Sequence, residues 1–268
     1  MNRTLIILIT VFCAQVSIAD VMRIAVTTSF ENSGLADVLL PAIKDDLDLD
    51  VQLLVVGTGQ ALRLGEAGDV DAILVHSKAA EEAFVAAGHG THRREIMYND
   101  FVVVGPKSDG AGAGAAANAA DALGRIVAAD RAPFVSRGDD SGTHKAELAI
   151  WTLAGIDIAD LGLRYQSVGA GMGAALNTAV GLNAYVFSDR ASWLNFGNKG
   201  GLVLLYQGDP ALFNQYAYLP INPSKNSHIR NDLAIQLEGW LTSQKASTLI
   251  DDYQIAGEKL FTFNASSP

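Results

Sequence analysis

Residues 133–144, Pro-Phe-Val-Ser-Arg-Gly-Asp-Asp-Ser-Gly-Thr-His, gather hydroxyls, backbone amides and one guanidinium within a few positions of a helix start. Phe134 and Val135 read as the end of a buried strand. Ser136, Arg137 and Gly138 turn the chain, and Ser141 falls where an N-cap belongs, ahead of a helix through Lys145–Leu153. The first turn of a helix has N–H groups without internal acceptors and carries the positive end of the helix dipole. A guanidinium adds a planar, permanently charged donor. Together these groups can hold an oxyanion.

Three further segments repeat the design of a strand ending in small polar residues before a helix. They are Thr27-Thr28-Ser29, Gly57-Thr58-Gly59-Gln60 and Gly169-Ala170-Gly171-Met172-Gly173. Each alone reads equally as an ordinary cap or turn. Four together suit one crevice, because strand-to-helix turns of a parallel sheet share an edge. None has the Gly-x-x-x-x-Gly-Lys spacing of a nucleotide P-loop, and Gly169–Gly173 lacks the wider dinucleotide fingerprint.

Arg137 has a competing use in an ion pair with Asp139 or Asp140, which themselves suit a turn and a first helical turn. A site built only of donors fits a fully ionised tetrahedral dianion, whose oxygens all accept. Hydrogen phosphate needs an acceptor for its proton, so Asp139 and Asp140 are expected to point away from such a site.

Other reactive side chains read more simply. His89 and His92 lack a third ligand nearby and are expected to be polar surface residues, so no metal-cation site is expected. His144 is expected to face solvent or a neighbouring carboxylate, and Tyr98, Trp151 and Trp193 to pack in the core or a hinge. Gly138-Asp139-Asp140-Ser141-Gly142 resembles the surround of a serine-protease nucleophile, but an extra aspartate breaks the spacing. His144 is also too close in sequence to Ser141 to be an obvious base. An exported serine hydrolase using Ser141 is therefore the remote alternative to a binding protein that is not an enzyme.

Arg3, the apolar run Leu5–Ala14 and the small residues Ser17 and Ala19 read as a secretory signal peptide over residues 1–19, implying a soluble, periplasmic protein. Cys13, the only cysteine, lies within it, so thiol catalysis and disulfides are not expected. Without Arg3, 18 basic face 29 acidic residues, a net charge of −11. Such a surface repels nucleic acid and anionic lipid, and any anion site must be a local positive feature.

To position the four segments, short apolar strands alternate with amphipathic helices. Met22–Thr27, Val51–Val56 and Ala72–Val75 read as strands, with helices over Leu35–Leu47 and Gln60–Glu66 between them. Phe101–Val104 reads as a further strand, and the Gly/Ala-rich run Gly110–Ala120 as a pliable connection or a weak helix start. The pattern then resumes with Phe134-Val135, a helix to Ala154, Tyr165–Val168, a helix from Met172, and Ala184–Ser188. Tyr216–Ile221 and two helices, Asp232–Leu241 and Ala246–Tyr253, complete it. The rhythm indicates a mainly parallel α/β protein. The expected division is lobe I at 20–104 and 216–268 and lobe II at 105–215, with a ligand cleft between.

Thr27–Ser29 with Glu31–Leu35, Val56–Leu62, Arg93–Phe101, Phe134–His144 and Gly171–Gly173 follow one another in the order seen in the tungstate-binding proteins of ABC uptake transporters, a family the chain closely resembles. The resemblance covers almost the whole chain after residue 19, and the 134–144 motif is its most specific part. It implies a class II periplasmic binding protein, two lobes on a two-strand hinge, that delivers tungstate, or also molybdate, to a permease subunit. Its ligand would be that oxyanion, with no cofactor, and the protein would act as a monomer. Another tetrahedral oxyanion, such as molybdate, sulfate or phosphate, is the alternative ligand.

By position, the resemblance assigns Thr28, Ser29, Thr58 and Gly59 to the anion on one lobe. Arg137, Ser141, Thr143, Gly171 and Met172 belong to it on the other. The family's first loop is richer in threonine, whereas here Val26 and Phe30 flank the hydroxyls, leaving open which of them reaches the ligand.

Overall fold

The computed structural model describes residues 20–130 and 132–266, so the expected signal peptide lies outside the described residues. The first lobe begins β1 (Asp20–Thr27), α1 (Thr28–Ser33), α2 (Ala36–Leu47), β2 (Leu49–Val56), α3 (Thr58–Ala67), β3 (Ala72–Val75) and α4 (Lys78–Ala86). The 13-residue strand β4 (Arg94–Pro106) leads into α5 (Ala119–Ala129), β5 (Phe134–Ser136), α6 (Gly142–Leu153), β6 (Tyr165–Ser167) and α7 (Met172–Leu182). Then follow β7 (Tyr185–Asp189), α8 (Arg190–Asn195), β8 (Leu202–Tyr206), β9 (Phe213–Pro220), α9 (Asn231–Leu241) and α10 (Gln244–Asp251).

The strands run β2-β1-β3-β9-β4-β7-β5-β6 across one continuous path, with β8 also on β4. β1 pairs in parallel with β2 and β3, and β5 with β6 and β7. β4 joins the halves. It is antiparallel to β9 from Arg94 to Asp100, and to β7 from Phe101 to Val104. The chain therefore passes between the lobes at Asp100–Phe101 and again just before β9, which gives two lobes on a two-strand hinge.

Strand alternation builds a core on each face. On β4, Phe101 and Val103 pack with Phe134, Trp151 and Phe187, while Val102 and Val104 pack with Val135, Met172 and Trp193. In the first lobe, Leu35, Leu39 and Ile43 cover one sheet face with Met22, Tyr216 and Trp240. Ile73, Phe84 and Leu219 fill the other.

Several expectations change. The Phe101–Val104 strand is the second half of β4, and α4, α5, α8 and β8 had no distinct sequence signal. Of the two readings of Gly110–Ala120 the helix start holds, since Ala113–Ala115 form a 3-10 turn and α5 begins at Ala119, and the run is fastened rather than pliable. Asp109 accepts from the amides of Ala113 and Gly114 at 2.9 Å each, and Ala113 and Ala119 are buried. Among the described residues no helix is long and apolar enough to cross a membrane.

Candidate functional site

A cleft of about 410 Å³ opens between the lobes at the carboxyl ends of the parallel strands. Lobe I contributes Thr28 after β1, Gly57–Gln60 after β2 and Ser77 after β3. Lobe II contributes Arg137 and Asp139–Gly142 after β5. Arg63 and Lys145 add positive charge to its walls.

The β1 loop distributes its hydroxyls among three tasks. Thr27 caps α1, its Oγ1 accepting from the Phe30 amide at 3.3 Å. Thr28 is exposed and lines the cleft. Ser29 is buried, its Oγ 3.0 Å from each of Thr27 Oγ1, His76 Nε2 and Tyr216 OH. Of the two hydroxyls assigned by position, Thr28 is thus the one at the cleft surface. Across from it, Thr58 is the first residue of α3, and its Oγ1 is screened from solvent without a hydrogen-bond partner. Gly59 sits beside it in the lining.

In lobe II, Ser141 caps α6 by accepting from the His144 amide at 3.3 Å. Thr143 is buried in that helix's first turn. The Arg137 loop is fixed from beneath. Its carbonyl accepts from the amides of Gly169 at 2.7 Å and Ala170 at 3.3 Å, bringing the start of α7, with Gly171 and Met172, alongside. Gly171 caps that helix, while the Met172 side chain is buried in the lobe II core. Gly138 must be glycine: its φ is +59°, and a β-carbon would fall 1.6 Å from Ser167 Oγ.

Beneath the loop, Ser136 Oγ donates to Glu147 at 2.6 Å. Glu147 also accepts from Trp151 Nε1 at 3.0 Å and Tyr165 OH at 2.8 Å. Burial lifts this carboxyl to about 6, against the downward pull of its three donors.

The expectation that Asp139 and Asp140 point away is overturned, since both line the cleft. Asp139 Oδ2 takes Arg137 Nη2 at 2.5 Å and Nε at 3.1 Å, while Oδ1 accepts from the Ser141 amide at 3.2 Å. Burial works to raise its carboxyl, but Ser141 and Arg137 outweigh that and hold it below the ordinary value. Asp140 is an exposed rim residue, 3.4 Å from Lys145 Nζ. His144 is half-exposed, and its Nδ1 accepts from the Asp140 amide at 3.1 Å.

His92 Nε2 lies 2.8 Å from Glu238, whose carboxylate is buried, so its role is a hydrogen-bond contact with α9. Trp151 and Trp193 are core residues, and Tyr98 packs on Phe213 beside the hinge.

Sequence reasoning missed His76, Ser77, Arg63 and Lys145. His76 follows the third parallel strand, the same position that makes the other loops candidates, and that was the available signal. Burial and the nearby Arg137 charge push its imidazole down to about 4, so the ring is neutral at neutral pH.

Residues 17–245 match the model of the PBP superfamily domain. The chain is 44% identical to the tungstate-binding protein TupA of Peptoclostridium acidaminophilum over 91% of its length and 85% of that protein's. The chain belongs to the TupA family of the PBP superfamily. Two TupA-like structures share its fold. The tungstate-binding protein TupA of Desulfovibrio alaskensis G20 has a TM-score of 0.85 and 42% identity, covering 92% of this chain and 100% of that one. The tungstate ABC transporter structure from Geobacter sulfurreducens has a TM-score of 0.79 and 44% identity, covering 87% and 98%. A PBP-type cleft between two lobes joined through β4 and β9 is therefore the frame in which these loops act.

Proposed function

We propose that this protein is the solute-binding component of an ABC uptake transporter, capturing tungstate between its lobes and presenting it to the permease. Molybdate, with the same charge and shape, is the second substrate. The observation that carries the reading is the unpartnered, solvent-screened hydroxyl of Thr58, a residue that lines the same cleft as Arg137 and the N-terminus of α6. The TupA relatives give the anion its name.

The dianion's oxygens accept from Thr28, Thr58 and the amide of Gly59 on lobe I. Lobe II supplies Arg137, Ser141, the first-turn amide of Thr143 and the amides of Gly171 and Met172. Ser29 supports this set from behind. The lobes divide at the hinge, at Asp100–Phe101 on β4 and again just before β9, a few residues ahead of the expected boundaries at 104 and 216. Hydrogen bonds to charged groups contribute about 1.5–3 kcal/mol each, so several in a closed, dry cleft reach the roughly −12 kcal/mol of a nanomolar complex. Closure about the hinge is the signal the permease reads. The protein works as an exported, periplasmic monomer without cofactor or catalysis.

The presence of Asp139 in the cleft favours one second reading, a hydrogen phosphate site in which a carboxylate takes the ligand's proton. Against it, both Asp139 oxygens already accept bonds from Arg137 and Ser141. Competition calorimetry with tungstate, molybdate, sulfate and phosphate tests the reading. Tungstate should bind tightest, and no tungstate heat at all would remove the proposal.

A further inference from the structure

His76 stands at the seam of the two lobes. The edge of its ring carrying Cε1 and Nδ1 faces the first turn of α6. A β-carbon built on Gly142 would lie 2.5 Å from Cε1 and 3.1 Å from Nδ1. Its chain neighbour Ser77 lines the cleft from one lobe, and Gly142 lines it from the other. Nδ1 is shielded from solvent and has no hydrogen-bond partner.

The other ring nitrogen decides what Nδ1 can do. Ser29 Oγ has one proton and two lone pairs for three neighbours at 3.0 Å. Tyr216 is a fully buried phenol whose hydroxyl can donate to it. Thr27 Oγ1 already accepts from the Phe30 amide, which frees its own proton for Ser29. With Tyr216 and Thr27 both donating, the two lone pairs of Ser29 are filled, and its proton goes to His76 Nε2. The ring proton is left on Nδ1, as a buried donor with no partner beyond its own backbone.

We propose that His76 Nδ1–H donates a hydrogen bond to the bound oxyanion, and that the Thr27–Ser29–Tyr216 hydroxyl network fixes the tautomer that makes this possible. The proposal rests on the oxyanion reading above and adds a contact that no motif assigned. The ring's depressed basicity fits the role, because a neutral imidazole donates without adding a buried charge beside Arg137. It also gives Ser29 a function that its burial would otherwise deny it: it directs a proton rather than touching the ligand.

Two substitutions separate the ring's nitrogens. The amide of His76→Asn reaches the place of Nδ1 and abandons Ser29, whereas that of His76→Gln reaches the place of Nε2 and leaves nothing at Nδ1. Sodium tungstate is titrated into the full chain by calorimetry, with ligand-free melting curves confirming that each variant folds. His76→Asn should bind within about threefold of the wild type, and His76→Gln should bind roughly thirtyfold or more weakly.

The reverse order, or equal losses, overturns the assignment and leaves His76 a support for Ser29. If neither variant folds, ¹⁵N spectra of the wild-type ring decide: Nδ1 should carry the proton and shift on tungstate addition, and an unmoved Nδ1 signal refutes the contact. A wild type that binds no tungstate sinks both readings, whereas tungstate binding with the wrong order of variants sinks only this one.

Discussion

The Arg137 guanidinium meets Asp139 edge-on, with Nη2 at 2.5 Å and Nε at 3.1 Å from the same carboxylate oxygen. This cation of the cleft is thus held by a carboxylate of its own loop through Nε and Nη2, with Nη1 outside the pair. The pair orients the guanidinium, and it also places a negative charge beside an incoming dianion.

The two residues should therefore respond in opposite directions. Arg137→Ala leaves a buried dianion uncompensated and should weaken tungstate by about 3–5 kcal/mol, more than a hundredfold. Asp139→Asn keeps an acceptor for the Ser141 amide, removes the repulsion and should tighten tungstate. It should also abolish any hydrogen phosphate binding. Calorimetric titration of both variants checks this, and an unchanged affinity in Arg137→Ala would place the guanidinium outside the site.

Thr58 offers a test with two readouts. Its Oγ1 has no partner within the protein, so Thr58→Val removes a hydroxyl that ligand-free folding does not use. The melting temperature should hold or rise, while tungstate affinity falls by about 1.5–3 kcal/mol, the worth of a bond to a charged acceptor. A variant that melts lower with unaltered affinity would contradict the role.

These residues differ in how legible they are in sequence. Ser141 and Gly138 announce themselves, because a cap and a left-handed turn are local decisions of the chain. Arg137 stands beside them in one motif. His76 is different: its chemistry is set by Ser29, 47 positions away, and Ser29's by Tyr216, 187 positions further along.

The first half of β4 was hidden for a similar reason. Arg94, Asn99 and Asp100 interrupt its apolar pattern. In the fold their partners are Glu238, Asn214 and Arg190, all remote in sequence. Asp139 misled because its pairing with Arg137 depends on a tight turn that spacing alone leaves open.

Two buried groups give opposite pH slopes. Burial raises Glu147 from 4.5 to about 6, while His76 is lowered from 6.5 to about 4. Between pH 4.5 and 6 the unfolded chain has lost a Glu147 proton that the folded protein keeps, so this contribution to stability falls as pH rises. Over the same window the unfolded chain holds a His76 proton that the folded protein lacks, so that contribution rises. The two nearly cancel. Glu147→Gln removes only the first, and its stability should climb relative to the wild type by about 2 kcal/mol across the window. Urea unfolding at several pH values checks it, and parallel curves for the two proteins would contradict the assignment.

Gly142 tests whether the His76 contact limits closure. As the first residue of α6 it could be alanine at no cost to the helix, since alanine is the better helix former. The obstacle lies on the other lobe, where a β-carbon would come within 2.5 Å of His76 Cε1. Either the lobes stay further apart or the ring turns away from Ser29, and both outcomes spoil the site. Such overlap costs about 1–3 kcal/mol, so Gly142→Ala should bind tungstate roughly tenfold more weakly while its ligand-free melting temperature holds. Small-angle scattering distinguishes the two routes. A tungstate-loaded variant that stays more expanded than the loaded wild type identifies a closure stop. A fully contracted one with weak binding points to the displaced ring. Wild-type affinity would show that the lobes close without bringing these two residues together.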